Sequence, residues 1–121
     1  TKVGSSLVDD SIDTRKIIER ARQLKVSMHL PLDHVISDKD GHIKTCNVDI
    51  PDDWTAYDIG PATIDCFTKV IKENGRVFWN GPMGMFEKDE FASGTVEVLK
   101  AMAFVTENSG IAIIGINLCI Y

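Results

Sequence analysis

Apolar residues recur at helical spacing in three stretches of the chain. In residues 15–25 the apolar positions are three or four apart, and aspartates precede them as they often precede a helix N-terminus. A second stretch starts at Gly60–Pro61, because Pro suits the first helical turn, and ends at Asn74–Gly75, where we expect a left-handed cap residue. A third runs from Phe91 to about Asn108, and its apolar face comprises Phe91, Thr95, Val98, Leu99 and Met102. The pattern therefore predicts three helices.

Shorter apolar or alternating runs predict strands between these helices. Residues 26–30 alternate up to Pro31, and residues 32–36 resume the extended pattern. A turn at residues 38–41 then leads into residues 42–48, so this middle part predicts a hairpin-like excursion. Three further strands are predicted over residues 54–59, 76–79 and 111–114, the last of them buried.

The order of these elements determines the predicted fold class. Strands that alternate with helices of this length are typical of βαβ units. We therefore expect an α/β fold, a partial Rossmann-like three-layer domain with a mostly parallel sheet and helices on its faces. A length of 121 residues limits the chain to one domain.

Charge and composition exclude several classes of partner. The 13 basic and 18 acidic residues leave a net charge of −5, which argues against nucleic acid or an anionic membrane surface as the main partner. The longest apolar run, residues 111–116, is far shorter than the ~20 residues that span a bilayer. Cys46, Cys66 and Cys119 form no CxxC pair, so we expect a reducing, cytoplasmic compartment and no disulfide framework.

Candidate chemistry lies in the loops that follow the predicted strands, because ligands of open α/β sheets bind at the carboxyl ends of the strands. The loop at Asn80–Glu87 is the most informative, since its glycines and proline leave backbone N–H groups free to face an anion or a flat ring. Asn80 and Glu87 offer an amide and a carboxylate to hydroxyl groups. The alternative is that this loop is only a turn.

Other polar residues are given structural interpretations. The spacing of His29, His34 and His42 does not suit a metal site. The sequence at residues 38–41 resembles the start of a calcium loop but lacks its glycine at the sixth position and its glutamate at the twelfth, so it predicts a turn. We expect Asp33 to form capping or loop hydrogen bonds, and we expect Cys66, which lies beside the apolar face of the second helix, to pack there.

The run Trp79–Glu87 resembles the WNGPxGxFE signature of phosphoglycerate kinase, and residues 91–95 resemble that family's F-A-x-G-T. Residues 3–8, 30–33 and 58–61 are similar to its xGxSLxE, LPxD and LDIGP segments. The resemblance implies that residues 1–115 form the later part of the C-terminal, nucleotide-binding domain. It also implies that the N-terminal phosphoglycerate-binding domain is missing from this chain, and we expect residues 116–121 to be an aberrant or truncated terminus.

The same resemblance implies a set of nucleotide-binding residues. Glu87 would bind the ribose hydroxyls, Pro82 and Met85 would line the sugar and base, and Asn80 would lie near the phosphates. The backbone of Ala56, where the family usually has glycine, would lie beside the adenine, next to Tyr57, where an aliphatic residue is usual. The complete set for ATP or ADP is Ala56, Tyr57, Asn80, Pro82, Gly84, Met85, Glu87 and Gly115.

Leu118 stands where the family carries the aspartate that holds magnesium, and leucine cannot ligate this ion. The resemblance implies phosphoryl transfer between 1,3-bisphosphoglycerate and ADP, giving 3-phosphoglycerate and ATP, by a usually monomeric enzyme. The 3-phosphoglycerate site would require the missing domain, so we expect this chain to be inactive alone. Two alternatives remain: a non-catalytic truncated product or nucleotide-groove module, and an unrelated Rossmann-like domain that matches the signature by chance.

Overall fold

The structure is a computed structural model that describes residues 1–8 and 11–115. All three predicted helices are present: α1 at Thr14–Gln23, α2 at Pro61–Lys72 and α3 at Ser93–Glu107, the last preceded by a short 3-10 helix at Asp89–Phe91. Five strands accompany them in this order along the chain: β1 Asp33–Ser37, β2 Ile43–Asn47, β3 Thr55–Ile59, β4 Arg76–Asn80 and β5 Ile111–Gly115. The predicted α/β class is confirmed.

The prediction of a mostly parallel sheet is wrong for the described residues. Strands β2, β1 and β3 form a sheet in that spatial order, and both of its pairings are antiparallel. The tight turn at Asp38–Gly41 accounts for the β1–β2 pairing, because strands joined by so short a connection can only be antiparallel neighbours. Strands β4 and β5 are parallel, since helix α3 makes the crossover between them.

Residues 26–30 form no strand, contrary to the alternation of their side chains. A strand needs a neighbour that takes up its backbone hydrogen bonds, and no described strand pairs with this segment. Val26, Met28 and Leu30 are 57%, 43% and 62% exposed, so the described chain covers them only in part. Helix α1 likewise buries none of its residues.

The core lies between α2 and α3 and the adjoining strands. Helix α3 packs against both α2 and β5, and its buried face contains Val98, Ala101, Met102 and Val105. The predicted face was correct at Thr95, Val98 and Met102, but Leu99 is 41% exposed. Ile36 is fully buried in β1, the central strand of the antiparallel sheet.

Only one face of the β4–β5 pair is covered. Phe78 and its register partner Ile113 lie on the open face, where they are 70% and 54% exposed. The prediction that residues 111–114 form a buried strand is therefore wrong, because the described chain places helices on one side of this pair only. Among the described helices, none combines the length and apolar composition needed to cross a membrane.

The ends of the helices agree only partly with the predicted caps. Gly60 is the N-cap of α2 and Pro61 occupies its first turn, as predicted. At the other end, neither Asn74 nor Gly75 adopts the predicted left-handed conformation, because α2 already terminates at Lys72 and Gly75 continues toward β4. The described non-glycine residues with positive φ are Lys25 and Ser109, which follow α1 and α3.

Candidate functional site

A cleft of about 560 Å³ lies between β3 and the loop that follows β4. Ala56 and Tyr57 line it from the strand, and Pro82, Gly84 and Met85 line it from the loop. Five of the eight predicted nucleotide-binding residues are thus brought together, although about 25 residues separate the two groups in the sequence. Their shared location in one cleft is the main feature of the candidate site.

Backbone hydrogen bonds hold the loop against the rest of the fold. Gly81 has φ of 87°, a conformation that favours glycine, and its N–H donates to the Gly115 carbonyl oxygen at 3.2 Å. The Met83 N–H donates to Thr95 Oγ1 at 3.1 Å, and the Met85 N–H donates to the Tyr57 carbonyl oxygen at 2.8 Å. The loop is therefore fixed to β5, α3 and β3 in turn.

Asp58 explains why this region requires glycines. Its buried carboxylate accepts hydrogen bonds from the Gly94 N–H and the Ile59 N–H, both at 2.8 Å. A Cβ atom on Gly84 would lie 2.5 Å from both Asp58 Oδ1 and the Tyr57 carbonyl oxygen, and one on Gly94 would collide with the same carboxylate. Glycine at these two positions allows the loop and α3 to approach β3 closely.

Aromatic and polar side chains complete the cleft. The Tyr57 ring stacks on that of Phe91, with centroids 4.9 Å apart and an angle of 27° between the planes. His34 of β1 and Ser6 also line the cleft, and Ser6 Oγ accepts a hydrogen bond from the Ala56 N–H at 3.0 Å. The sequence alone assigns no role in the site to four of these residues, Ser6, His34, Asp58 and Phe91. Ser6, Asp58 and Phe91 lie in segments that resemble the family in sequence, and this was their signal, whereas His34 offered none.

A second, smaller cavity of about 210 Å³ shares Pro82 with the cleft. Gly115 lines it, and a Cβ atom on Gly115 would lie 3.1 Å from Asn80 Oδ1, so the predicted Asn80 and Gly115 are neighbours. Glu87 is exposed and lines neither cavity. Its role toward a ribose stays a prediction.

Asp33 fixes the loop that follows β3. Its buried carboxylate accepts hydrogen bonds from the Ala62 N–H at 2.9 Å, the Thr63 N–H at 2.8 Å and the Thr63 hydroxyl at 2.6 Å. Burial, the largest influence, raises the pKa of Asp33, but these hydrogen bonds together outweigh it and lower that pKa below 3.8. The expected capping role of Asp33 is confirmed.

The described residues do not offer magnesium a suitable site in the cleft. Asp58 is the one carboxylate among the described lining residues, and it is buried with each oxygen accepting an amide hydrogen bond. Leu118, which we expect to replace the metal-binding aspartate of the family, lies outside the described residues. Asp38, Asp40 and His42 do cluster at the predicted turn, but Asp38 accepts hydrogen bonds from both of the other residues there.

Comparison with known proteins agrees with the resemblance in the sequence. A model of the family described as phosphoglycerate kinase matches residues 1–118. A phosphoglycerate kinase of Chloroherpeton thalassium is 43% identical over 119 residues, which cover 93% of this chain and 30% of that protein. One from Schistosoma mansoni is 40% identical over 120 residues, with 93% and 29% covered.

A solved structure of phosphoglycerate kinase from Coxiella burnetii superimposes with a TM-score of 0.84 at 28% identity. The match covers 96% of this chain and 31% of the Coxiella chain. The chain thus spans about 30% of the length of these relatives. The similarity extends over nearly all of the described fold.

Proposed function

This chain belongs to the phosphoglycerate kinase family, and from that premise we propose that it forms part of an adenine-nucleotide site, with ADP or ATP bound in the cleft between β3 and the loop after β4. The whole reaction would be phosphoryl transfer between 1,3-bisphosphoglycerate and ADP, in the cytoplasm. The region supplied by residues 1–115 would be the later part of the nucleotide-binding, C-terminal domain.

One observation carries this proposal: Ala56 and Tyr57 lie opposite Pro82, Gly84 and Met85 across one cleft. Small and apolar groups on both sides suit a flat base better than a charged phosphate chain. The phosphates would extend toward Asn80 and Gly115, and Glu87 would meet the ribose at the exposed rim.

The described residues that line the cleft include no cationic side chain that could serve phosphoryl transfer. Catalysis of this reaction depends on lysines, arginines and metal ions that neutralise the charge of the transferred group. No Lys or Arg is among the described residues that line the cleft, and Asp58 is occupied by amide hydrogen bonds. We therefore expect a nucleotide-binding but non-catalytic chain when it is studied alone, with no turnover in a coupled ATP assay.

Calorimetric titration of the 121-residue chain with ADP tests the proposal, with and without magnesium. We expect weak binding that magnesium changes little, because the described cleft offers no free metal ligand. Met85→Ala should weaken ADP binding by about three- to tenfold through loss of buried apolar area. Met28→Ala is the matched control, because Met28 is similarly exposed, at 43% against 38%, and lies outside the cleft.

Three results would count against the proposal. Absence of ADP binding by the folded chain would overturn the nucleotide site. An equal loss of affinity in Met28→Ala and Met85→Ala would remove the cleft as its location. A large gain in ADP affinity with magnesium would contradict the expected independence of magnesium, because it would show that the site has a metal ligand outside the described residues of the cleft.

A further inference from the structure

Asparagine or aspartate precedes glycine at three places in the chain: residues 40–41, 74–75 and 80–81. In such pairs the backbone nitrogen of the glycine can attack the side-chain carbonyl carbon of the preceding residue, because no Cβ atom hinders its approach. Asparagine is accordingly one of the thermally labile residues of proteins. The attack needs a glycine nitrogen that is free of hydrogen bonds, so the structure around each pair determines its reactivity.

Two of the three glycine nitrogens are held by hydrogen bonds. The Gly81 N–H donates to the Gly115 carbonyl oxygen at 3.2 Å, and the preceding Asn80 is the last residue of β4, paired in register with β5. The Gly41 N–H donates to the Asp38 carbonyl oxygen, also at 3.2 Å. Attack by either nitrogen would first require this local structure to open.

Gly75 differs from both. Its N–H makes no hydrogen bond to any group in the described part of the chain. Asn74 and Gly75 are both exposed and lie between α2 and β4, and a Cβ atom on Gly75 would meet nothing within 4 Å. The Asn74 side chain donates one hydrogen bond, from Nδ2 to the Val70 carbonyl oxygen at 2.6 Å. The Gly75 nitrogen is therefore available, and there is room for the backbone to turn toward the side chain.

We propose that Asn74 is a self-modification site, which deamidates through a cyclic imide formed with Gly75. The Gly75 nitrogen attacks Asn74 Cγ and forms a new C–N bond. The bond from Cγ to Nδ2 breaks, and the amide nitrogen leaves as ammonia with the proton of the Gly75 N–H. Water then opens the ring at one of its two carbonyl groups. Opening at the former side-chain carbonyl gives aspartate, and opening at the backbone carbonyl gives isoaspartate, in which the main chain runs through the former side chain.

The modification weakens the connection between α2 and β4. The Nδ2 donor to the last turn of α2 is replaced by a carboxylate, whose charge is unfavourable beside the negative end of a helix. Isoaspartate also lengthens the main chain next to the Gly75 carbonyl oxygen, which accepts the Ile111 N–H at 2.9 Å at the amino end of the β4–β5 pair. The nucleotide cleft borders the loop after the other end of β4, so this inference does not depend on the proposed function.

The experiment compares Asn74 with Asn80 in the full 121-residue chain during incubation at mildly alkaline pH. Trypsin separates the two sites, because Asn74 lies in residues 73–76 and Asn80 in residues 77–88. Mass spectrometry measures the replacement of the amide by a carboxyl group, and a sample digested without incubation corrects for deamidation during digestion. We expect Asn74 to deamidate about fivefold faster than Asn80, the factor that one protecting hydrogen bond contributes.

The same incubation in concentrated urea tests whether the structure causes this difference. Both sites are Asn–Gly pairs, so their rates should approach each other once unfolding removes the hydrogen bond that protects Asn80. Isoaspartate is counted separately, by transfer of a methyl group from S-adenosylmethionine with an isoaspartate methyltransferase. Urea unfolding of the aged chain should show a lower midpoint than that of the fresh chain.

Gly75→Ala provides the variant test. Gly75 has no positive φ and has open space for a Cβ atom, so the variant should fold, and its Asn74 should deamidate no faster than Asn80. Glu73→Ala is the control, because it changes an exposed neighbour but keeps the Asn74–Gly75 pair, and it should deamidate like the wild type.

Three results would overturn the proposal. The first is a folded wild-type chain in which Asn80 deamidates as fast as Asn74. The second is a folded Gly75→Ala variant whose Asn74 deamidates at the wild-type rate. The third is deamidation of Asn74 without any isoaspartate, since a cyclic imide yields both products. The first and third results come from the wild-type chain, so they decide the question even if the variant does not fold.

Discussion

Two buried aspartates serve as helix caps from a distance. Neither Gly60 before α2 nor Ala92 before α3 makes a side-chain capping hydrogen bond. Asp33 of β1 instead accepts the N–H groups of Ala62 and Thr63, and Asp58 of β3 accepts that of Gly94. A carboxylate is favourable there because the first amides of a helix lack intrahelical partners and carry a partial positive charge. Asp33 therefore fixes the start of α2 to β1, and Asp58 fixes the start of α3 to β3.

The lowered pKa of Asp33 makes its contribution depend on pH. A group whose pKa is lower in the folded state stabilises the fold above its unfolded pKa of ~3.9, and this stabilisation is lost as the pH falls through the folded value. We expect Asp33→Asn to lower the free energy of unfolding by about 1–3 kcal/mol at pH 6. The difference from wild type should begin to shrink below pH ~4 and should disappear as the pH falls through the lowered folded pKa, because protonation then makes the wild-type carboxyl neutral as well.

Urea unfolding at pH 6 and at pH 3 measures this difference. Asp65→Asn is the control, because Asp65 is an exposed residue of α2 whose side chain makes no described hydrogen bond, and it should change stability little at either pH. An Asp33→Asn deficit that is equally large at pH 3 would contradict the assignment of the effect to the charged form.

At the scale of elements, the sequence pattern predicted the helices and strands correctly where they depend on interactions between residues close in the sequence. All three helices and the strands β1 to β5 lie within a few residues of their predicted bounds, because periodicity, Pro61 and the turn at Asp38–Gly41 act over short distances. Residues 26–30 have a strand pattern without a strand neighbour, which no local signal reveals. The caps from Asp33 and Asp58 could not be seen in the sequences of the helices they cap, since they come from strands 30 and 36 residues away.

Helix α1 has little tertiary support, which predicts early proteolysis. None of its residues is buried, and a helix of 10 residues is marginal without packing. Trypsin should therefore cut first after Arg15, Lys16, Arg20, Arg22 or Lys25, and later after Lys69 or Lys100 in the packed helices α2 and α3. Mass spectrometry of a time course identifies the order. Cleavage in α3 as early as in α1 would contradict this prediction.

At the scale of the whole molecule, the candidate site and the open sheet face lie on differently supported parts of the fold. The cleft is held by hydrogen bonds among β3, the loop after β4 and α3. The open face of β4 and β5 exposes Phe78, Ile111 and Ile113, each more than half exposed and adjacent in register. A contiguous apolar surface of this kind favours association. Nucleotide binding and self-association should therefore respond to different substitutions.

The open face of the β4–β5 pair should promote self-association. Phe78 lies opposite Ile113 and projects away from the helices. Association through the β4–β5 face would bury these two exposed side chains, and this burial of apolar surface would be its main driving force. We expect the chain to form larger species as its concentration rises and to bind an apolar dye, and Phe78→Asp should shift it toward monomer. Sedimentation velocity across a range of concentrations measures this change in association.

Val48→Asp, at a 39% exposed position outside the sheet face, is the control and should leave association unchanged. A wild-type chain that stays monomeric throughout, binds no dye and unfolds cooperatively above ~60 °C would show that this face needs no cover.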